Sequence, residues 1–394
     1  MTDPAEHRAE DGVDVRLSTI AREWGRIGCI GLGGPPTHIA LLRRLCVEDR
    51  KWIAATEFED AIATTNLLPG PASTQLAIYS AWRLRGTLGA LVGGICFIVP
   101  GLVIILALAA FFLAGGVPRW ASGAAAGAGA AVAVVAVHAG IGLVPASWQR
   151  AGTRQAAQVR WIGYLLVGGV AATTIGPWLV LVLVGAGVVE VVVRTGIPKR
   201  SPSAAGPVPL AIAIPALGGS AAVGWVAFKV GALSYGGGFV IIPLMQSDAV
   251  GRYHWMSDAQ FLNAVALGQI TPGPVVQTVA VVGYAAGGLA GGLLAAVVAF
   301  APSFLFVIFG GPNFDKLRAD RRVLSFLSGA GPAVIGAILG SAVPLALALQ
   351  HVWQFAVLAA AAVWLSAARR GVVSALVMAA GLGVAAAAAG FPIG

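Results

Sequence analysis

Asn66-Leu-Leu-Pro-Gly-Pro71 and Gln269-Ile-Thr-Pro-Gly-Pro274 carry two Pro-Gly-Pro triplets, and their placement decides the fold. A proline removes a backbone N–H, and its ring clashes with the preceding turn. Two prolines around a glycine end one helix and open another, because proline suits the first position of a new helix. Outward from the triplets the flanking residues also match. At an offset of 203, Trp52 falls on Trp255, Phe58 on Phe261, and Gly28, Gly33 and Gly34 on Gly231, Gly236 and Gly237. After the triplets one deletion shifts the offset to 202, and Gln75 meets Gln277, Gly89 meets Gly291, and Pro100 meets Pro302. Rare residues held in register over so long a period mark a duplicated module. Residues 17–195 and 209–394 read as the two repeats, 196–208 as a polar linker, and 1–16 as a cytoplasmic tail without the apolar core of a signal peptide.

The chain has 394 residues, of which 58% are hydrophobic and only 10% charged, against roughly 25% charged in a soluble domain. Runs such as Gly86–Ala114, Ala121–Val144, Trp161–Val189, Leu289–Gly311 and Gly371–Gly390 carry no charge. They reach the roughly 20 residues that a hydrocarbon core demands. The expected fold class is an all-α polytopic membrane protein with two inverted-topology repeats and helices broken at the Pro-Gly-Pro triplets. The net charge of +9 does not point to nucleic acid, because most arginines and lysines lie between the apolar runs. Cys29, Cys46 and Cys96 have no metal-ligand or redox spacing, and no cofactor or metal is expected.

Basic residues orient such a chain, since cytoplasmic loops are enriched in them. In the first repeat Arg83 and Arg85, then Arg150, Arg154 and Arg160, then Arg194, Lys199 and Arg200 mark alternate loops; the others carry only Arg119, or nothing at Gly176-Pro177. In the second repeat the pattern swaps: Ala285–Leu289 is bare, Lys316, Arg318, Arg321 and Arg322 crowd the next loop, Gln350-His351 is bare, and Arg369-Arg370 follows. The two repeats are therefore expected to insert upside down relative to each other, an architecture frequent among transporters. Inversion requires an odd number of crossings before the second repeat, and Val208–Phe228 could supply one. The N-terminus is expected in the cytoplasm and the C-terminus outside, in the inner membrane.

Each triplet lies downstream of a glycine cluster, Gly31-Leu-Gly-Gly-Pro-Pro36 in one repeat and Tyr235-Gly-Gly-Gly238 in the other. The half-helix after each break offers free N–H groups and the positive end of a helix dipole. Gly33, Gly34, Gly70, Ser73, Thr74 and Gln75, with Gly236, Gly237, Gly273, Gln277 and Thr278, are the candidate anion-binding residues. Pro69, Pro71, Pro272 and Pro274 are the expected helix breaks. The alternative is a plain kink where helices pack. Arg26 aligns with Lys229, and Lys229 stands without another ionised residue between Val208 and Met245. Intramembrane cations are costly and usually functional, so this pair is a candidate for holding a dianion; two cations snorkelling at helix ends, with Glu23 beside Arg26, is the alternative. Glu57 and Asp60 are proton-coupling candidates present in one repeat only. Equally, they suit the first turn of a helix at the membrane surface. Glu190 reads as an i, i+4 pair with Arg194, and His38 as a structural histidine.

The run Phe58, Asn66-Leu-Leu-Pro-Gly-Pro-Ala, Gln75, Gly86, Gly89 and Phe97-Ile-Val-Pro100 resembles the signature region of the CHR family of chromate ion transporters. So does Phe228-Lys-Val-Gly-Ala-Leu-Ser-Tyr-Gly-Gly-Gly followed by Gly268-Gln-Ile-Thr-Pro-Gly-Pro. The resemblance spans about residues 20–390. It implies export of chromate from the cytoplasm driven by the proton gradient, with sulfate as a related oxyanion. A transporter of another oxyanion, an anion channel and a membrane-embedded chromate reductase are the alternatives. The reductase would need a cofactor motif or paired cysteines, which the sequence lacks. No nucleotide-binding P-loop is present either. Sequence leaves the oligomeric state open.

Overall fold

In lipid every backbone N–H and C=O must be satisfied within the protein, which leaves helices or closed barrels. The computed structural model takes the helical solution. It describes residues 15–66, 70–113, 115–175, 178–196, 219–234, 241–311, 320–368 and 370–393, and among these there are fourteen α-helices and no strand. In the first half α1 is Leu17–Ile30 and α2 is Pro35–Arg43, which runs on into a wider π-type turn, Arg44–Asp49. α3 (Ala55–Thr65), α4 (Ala72–Leu113), α5 (Arg119–Ala151), α6 (Gln155–Thr174) and α7 (Leu179–Thr195) follow. The second half runs through α8 (Gly219–Leu233), α9 (Ile241–Gln246) with its π-type turn Ser247–Arg252, and α10 (Asp258–Ile270). It continues with α11 (Thr278–Gly310), opened by a tight turn at Val275–Gln277, then α12 (Arg321–Leu347), α13 (Val352–Ser366) and α14 (Val372–Ala388). The expected tail and linker fall, apart from residues 15, 16 and 196, outside the described residues, as does 208–218 of the proposed extra crossing. From 219 onward that stretch belongs to α8, which stands where α1 stands in the first half.

Helices α4, α5, α12 and the span Val275–Gly310 are long and apolar enough to cross a membrane. α1, with 14 residues, reaches about 21 Å, short of a ~30 Å core. α3 is shorter still, at 11 residues. Three short helices therefore precede one long helix in each half. The long ones bend in the same way. In α4 the break has Arg85 at φ −143°, ψ 26° and Gly86 at φ 56°, ψ −146°. In α11 it has Gly287 at φ −155°, ψ 30° and Gly288 at φ 61°, ψ −153°. The second residue of each bend lies in a region only glycine occupies comfortably. The charge-free run that begins at Gly86 is thus the part of α4 beyond its bend. Lys51 (φ 51°) and His254 (φ 52°), each just past a π-type turn, are a further matched pair.

The two halves interlock: α4 packs on α11, α12 on α5, α6 and α7, and α14 on α5. Without a hydrophobic drive between helices in lipid, association depends on close backbone approach. On α6 and α12 a Cβ at Gly168 would lie 2.0 Å from the Ala333 carbonyl oxygen, and one at Gly336 1.8 Å from that of Leu165. The i, i+4 pair read in the sequence is present, with Arg194 Nε 2.5 Å from Glu190 Oε1. It belongs to a larger knot between α6 and α7. Arg160 donates to both oxygens of the buried carboxylate, at 2.8 and 3.0 Å, and the Tyr164 hydroxyl donates at 3.1 Å.

Candidate functional site

The first break sets its polar groups by local geometry. Gly70 has φ +123°. A Cβ there would sit 2.5 Å from Gln75 Nε2 and 3.3 Å from Ser303 Oγ. α4 begins at Ala72, so Ser73, Thr74 and Gln75 occupy its first turn, and all three are buried. Ser73 Oγ lies 3.2 Å from His38 Nδ1, and His38 Nε2 lies 2.9 Å from the carbonyl oxygen of Gly31. The Phe97 ring meets the imidazole edge-on, with centroids 5.1 Å apart. The Gly31 carbonyl also accepts from the backbone N–H of Gly273, at 3.1 Å. A hydrogen-bonded path therefore runs from the first break, through Ser73, His38 and Gly31, to the second.

At the second break α10 stops at Ile270 and the next turn starts at Val275, which leaves Pro272 and Pro274 between helices. Gly273 has φ +97°. A Cβ at Gly101 would lie 2.1 Å from the Pro272 carbonyl oxygen and 2.5 Å from Gln277 Oε1. Gln277 Nε2 donates to the Ile98 carbonyl at 2.7 Å. Gly34 faces this break too, its Cβ position 3.7 Å from Val275 Cγ2. Each break thus rests on the long bent helix of the other half: Gly70 beside Ser303 of α11, and Pro272 beside Gly101 of α4. Gly70, Pro71, Gly273 and Pro274 are all buried.

Several buried polar atoms have no hydrogen-bond partner among the described residues: Thr74 Oγ1 in the first turn of α4, Ser303 Oγ beside Gly70, Gln269 Nε2 near the end of α10, and Ser234 Oγ just after α8. An unpaired buried hydroxyl or amide costs about 1–3 kcal/mol, and such groups in native interiors call for an explanation. All four can donate a proton, which suits an acceptor-rich ligand. The other sequence candidates divide. Thr278 donates to the Val275 carbonyl at 2.8 Å and is satisfied by its own turn. Gly33 is exposed, its Cβ position 3.0 Å from Thr37 Oγ1. Pro69, Gly236 and Gly237 lie outside the described residues.

The two aligned cations sit in different surroundings. Arg26 is 59% exposed and pairs with Glu23 at 3.1 Å, as the i, i+3 spacing allowed. Lys229 is buried, but it is not alone: its ammonium forms an ion pair with Asp248, itself fully buried. It also sits 5.8 Å over the Trp225 ring. Burying an ammonium without a partner is prohibitive, so the carboxylate accounts for its presence. Asp248 falls on Leu45 at the repeat offset, so the pair belongs to the second half only. The proton-coupling candidates sit at the surface of α3: Glu57 pairs with Arg83 on a partly exposed face, and Asp60 is exposed. Sequence reasoning missed Asp248 and did not link His38 to Ser73. No helical spacing links Asp248 to Lys229, 19 residues away. His38 stands on the turn that follows a glycine cluster, a signal that was available.

The family model described as "Chromate transporter" matches residues 18–191 and again 221–388. The chain belongs to the chromate transporter family. Among relatives of this transporter, the chromate transport protein of Cupriavidus metallidurans is 33% identical over 84% of this chain and 82% of its own length. The probable chromate transport protein of Synechococcus elongatus is 30% identical over 84% of each chain. The chromate transport protein of Pseudomonas aeruginosa is 29% identical over 82% of this transporter and 79% of its own length. No solved structure matches the transporter.

Proposed function

We propose that the protein is a secondary transporter that exports chromate from the cytoplasm of its host across the inner membrane, coupled to protons, by alternating access between two inverted halves. The observation that carries this is the pair of buried breaks joined through His38, with partnerless donors at Thr74 and Ser303 beside the first. A tetrahedral dianion offers four acceptor oxygens to such donors, and a half-helix N-terminus favours negative charge. Broken helices meeting in the interior are where transporters of inverted-repeat design bind their substrates. Support for the repeat comes from the two family matches and from the bends at Arg85-Gly86 and Gly287-Gly288. Asn66, at the end of α3, opens on a cavity of about 210 Å³ that Arg150 also lines. Arg150 would draw an anion toward the first break. The Lys229–Asp248 pair is read as structural, and the anion is held by neutral donors and helix ends.

The test is uptake of labelled oxyanion into everted vesicles made from cells expressing the chain, with and without a proton gradient. Chromate accumulation that collapses with the gradient is expected. Uptake of sulfate without uptake of chromate would assign the site to another oxyanion, and flux indifferent to the gradient would make the protein a channel.

A further inference from the structure

His38 touches Ser73 at the first break directly and reaches the second through the Gly31 carbonyl, and its ring is held so that its protonation state governs what Ser73 offers. A carbonyl oxygen only accepts, so the 2.9 Å contact with Gly31 places a hydrogen on Nε2. In the neutral ring Nδ1 is then a bare acceptor, and Ser73 must turn its hydroxyl hydrogen toward it, across 3.2 Å. Ser73 thereby presents lone pairs to the start of α4, where an anion would be repelled. In the protonated ring Nδ1 donates instead. Ser73 accepts that bond, and its own hydrogen is released to another acceptor. One proton therefore adds a positive charge and turns a hydroxyl from acceptor to donor.

We infer that His38 is a positioning residue whose protonation switches Ser73 toward the oxyanion, so that oxyanion binding takes up a proton on the imidazole. This rests on the oxyanion site proposed above. The ring is fully buried. The charged groups on the elements packed around it lie at the surface: Arg22 is exposed on α1, Arg26 pairs with Glu23 on α1, Arg43 with Glu48 and Arg44 with Asp49 at the end of α2, and Arg83 of α4 with Glu57 of α3. Arg85 is exposed at the bend of α4. Among the described residues its hydrogen-bond partners are the Ser73 hydroxyl and the Gly31 carbonyl, and the Phe97 ring packs against it. With no fixed carboxylate in contact with it among the described residues, a protonated His38 gains its counter-charge from the bound anion. By linkage, proton and anion raise each other's affinity by the same factor. Because the Gly31 carbonyl also holds Gly273, the switch reports to both breaks at once.

The experiment is chromate binding to the purified full chain, measured by calorimetry between about pH 5 and 8, where histidine titrates, in buffers of different ionisation enthalpy. The wild type should bind with net proton uptake. Its affinity should fall by up to about tenfold for each pH unit above the imidazole pKa. His38→Gln keeps a donor for Gly31 and an acceptor for Ser73 but cannot charge. It should bind at the weak, high-pH level throughout, and its slope should drop by one proton. Chromate's own protonation is common to both proteins, so the difference between them isolates His38. Equal pH slopes for the two proteins would overturn the inference while leaving the oxyanion site in place. Should His38→Gln fail to fold, Ser73→Ala decides: it should weaken binding most at low pH, and a uniform loss across the range would overturn the switch. No chromate binding by the wild type at any pH would overturn the site and the switch together.

Discussion

Replacing Lys229 separates a structural cation from a substrate cation, provided its partner is changed as well. Lys229 is 5% exposed and Asp248 not at all. Lys229 pairs with Asp248 Oδ2, and Oδ1 has no hydrogen-bond partner among the described residues. Lys229→Met keeps the stem and removes the charge, which strands a carboxylate in the interior. Breaking a buried pair from one side costs about 3–5 kcal/mol, whereas replacing both members with neutral groups of similar volume is often neutral. The cation–π contact with Trp225 adds on the order of 0.5–2 kcal/mol to the loss. Lys229→Met should therefore lower the unfolding midpoint in detergent sharply, and Asp248→Asn should lower it too, by stranding the ammonium. The double variant Lys229→Met/Asp248→Asn should recover most of the difference, a coupling well above the ~0.5 kcal/mol expected of independent sites. With Lys229 acting only through Asp248, the double variant should also carry oxyanion in vesicles. Additive single losses would refute the pair. A stable double variant that does not transport would refute the structural role and return Lys229 to the anion.

Three further outcomes are expected. Thr74→Val removes a partnerless hydroxyl at nearly constant volume; an oxyanion should bind roughly 10- to 150-fold more weakly for the loss of one charge-assisted bond, while thermal stability holds or rises, and unchanged affinity by calorimetry would place Thr74 outside the site. Gly231→Val puts a Cβ 2.0 Å from the Ala299 carbonyl oxygen and should push α8 off α11, which lowers accumulation in the membrane, whereas Gly224→Ala, with nothing within 4 Å, should match the parent in the same blot. Glu57→Gln with Asp60→Asn should leave the pH profile of vesicle uptake unchanged and cost at most about 1 kcal/mol of stability; a flattened profile would restore these carboxylates as proton carriers.

What could be read from the residues alone is what acts locally. Absence of charge marked the membrane class, and Pro272 and Pro274 fall between helices, because charge and proline each act within their own segment. Matched Trp, Phe and Pro positions anticipated backbone features they could not describe, such as the bend at Gly86 and Gly288. What the residues alone did not reveal depends on tertiary neighbours. Lys229 looked isolated because Asp248 lies 19 residues on, in the π-type turn after α9, where no 3.6-residue spacing applies. Arg26 looked like its equal because alignment transfers position and not burial. His38 looked ordinary because its partners, Ser73 and Gly31, lie 35 and 7 residues away and meet only after the chain folds back.

The contact of Gln277 with the Ile98 carbonyl joins residues 179 positions apart. Translation at about 5–20 residues per second delivers that amide roughly 10–35 s after the carbonyl leaves the ribosome. Through that interval the Ile98 turn of the earlier long helix stands in the bilayer, or in the insertion machinery, without its later partner. Assembly of the whole molecule is therefore timed by its later part, and a ribosome stalled between these two positions leaves behind a chain that is inserted and incomplete.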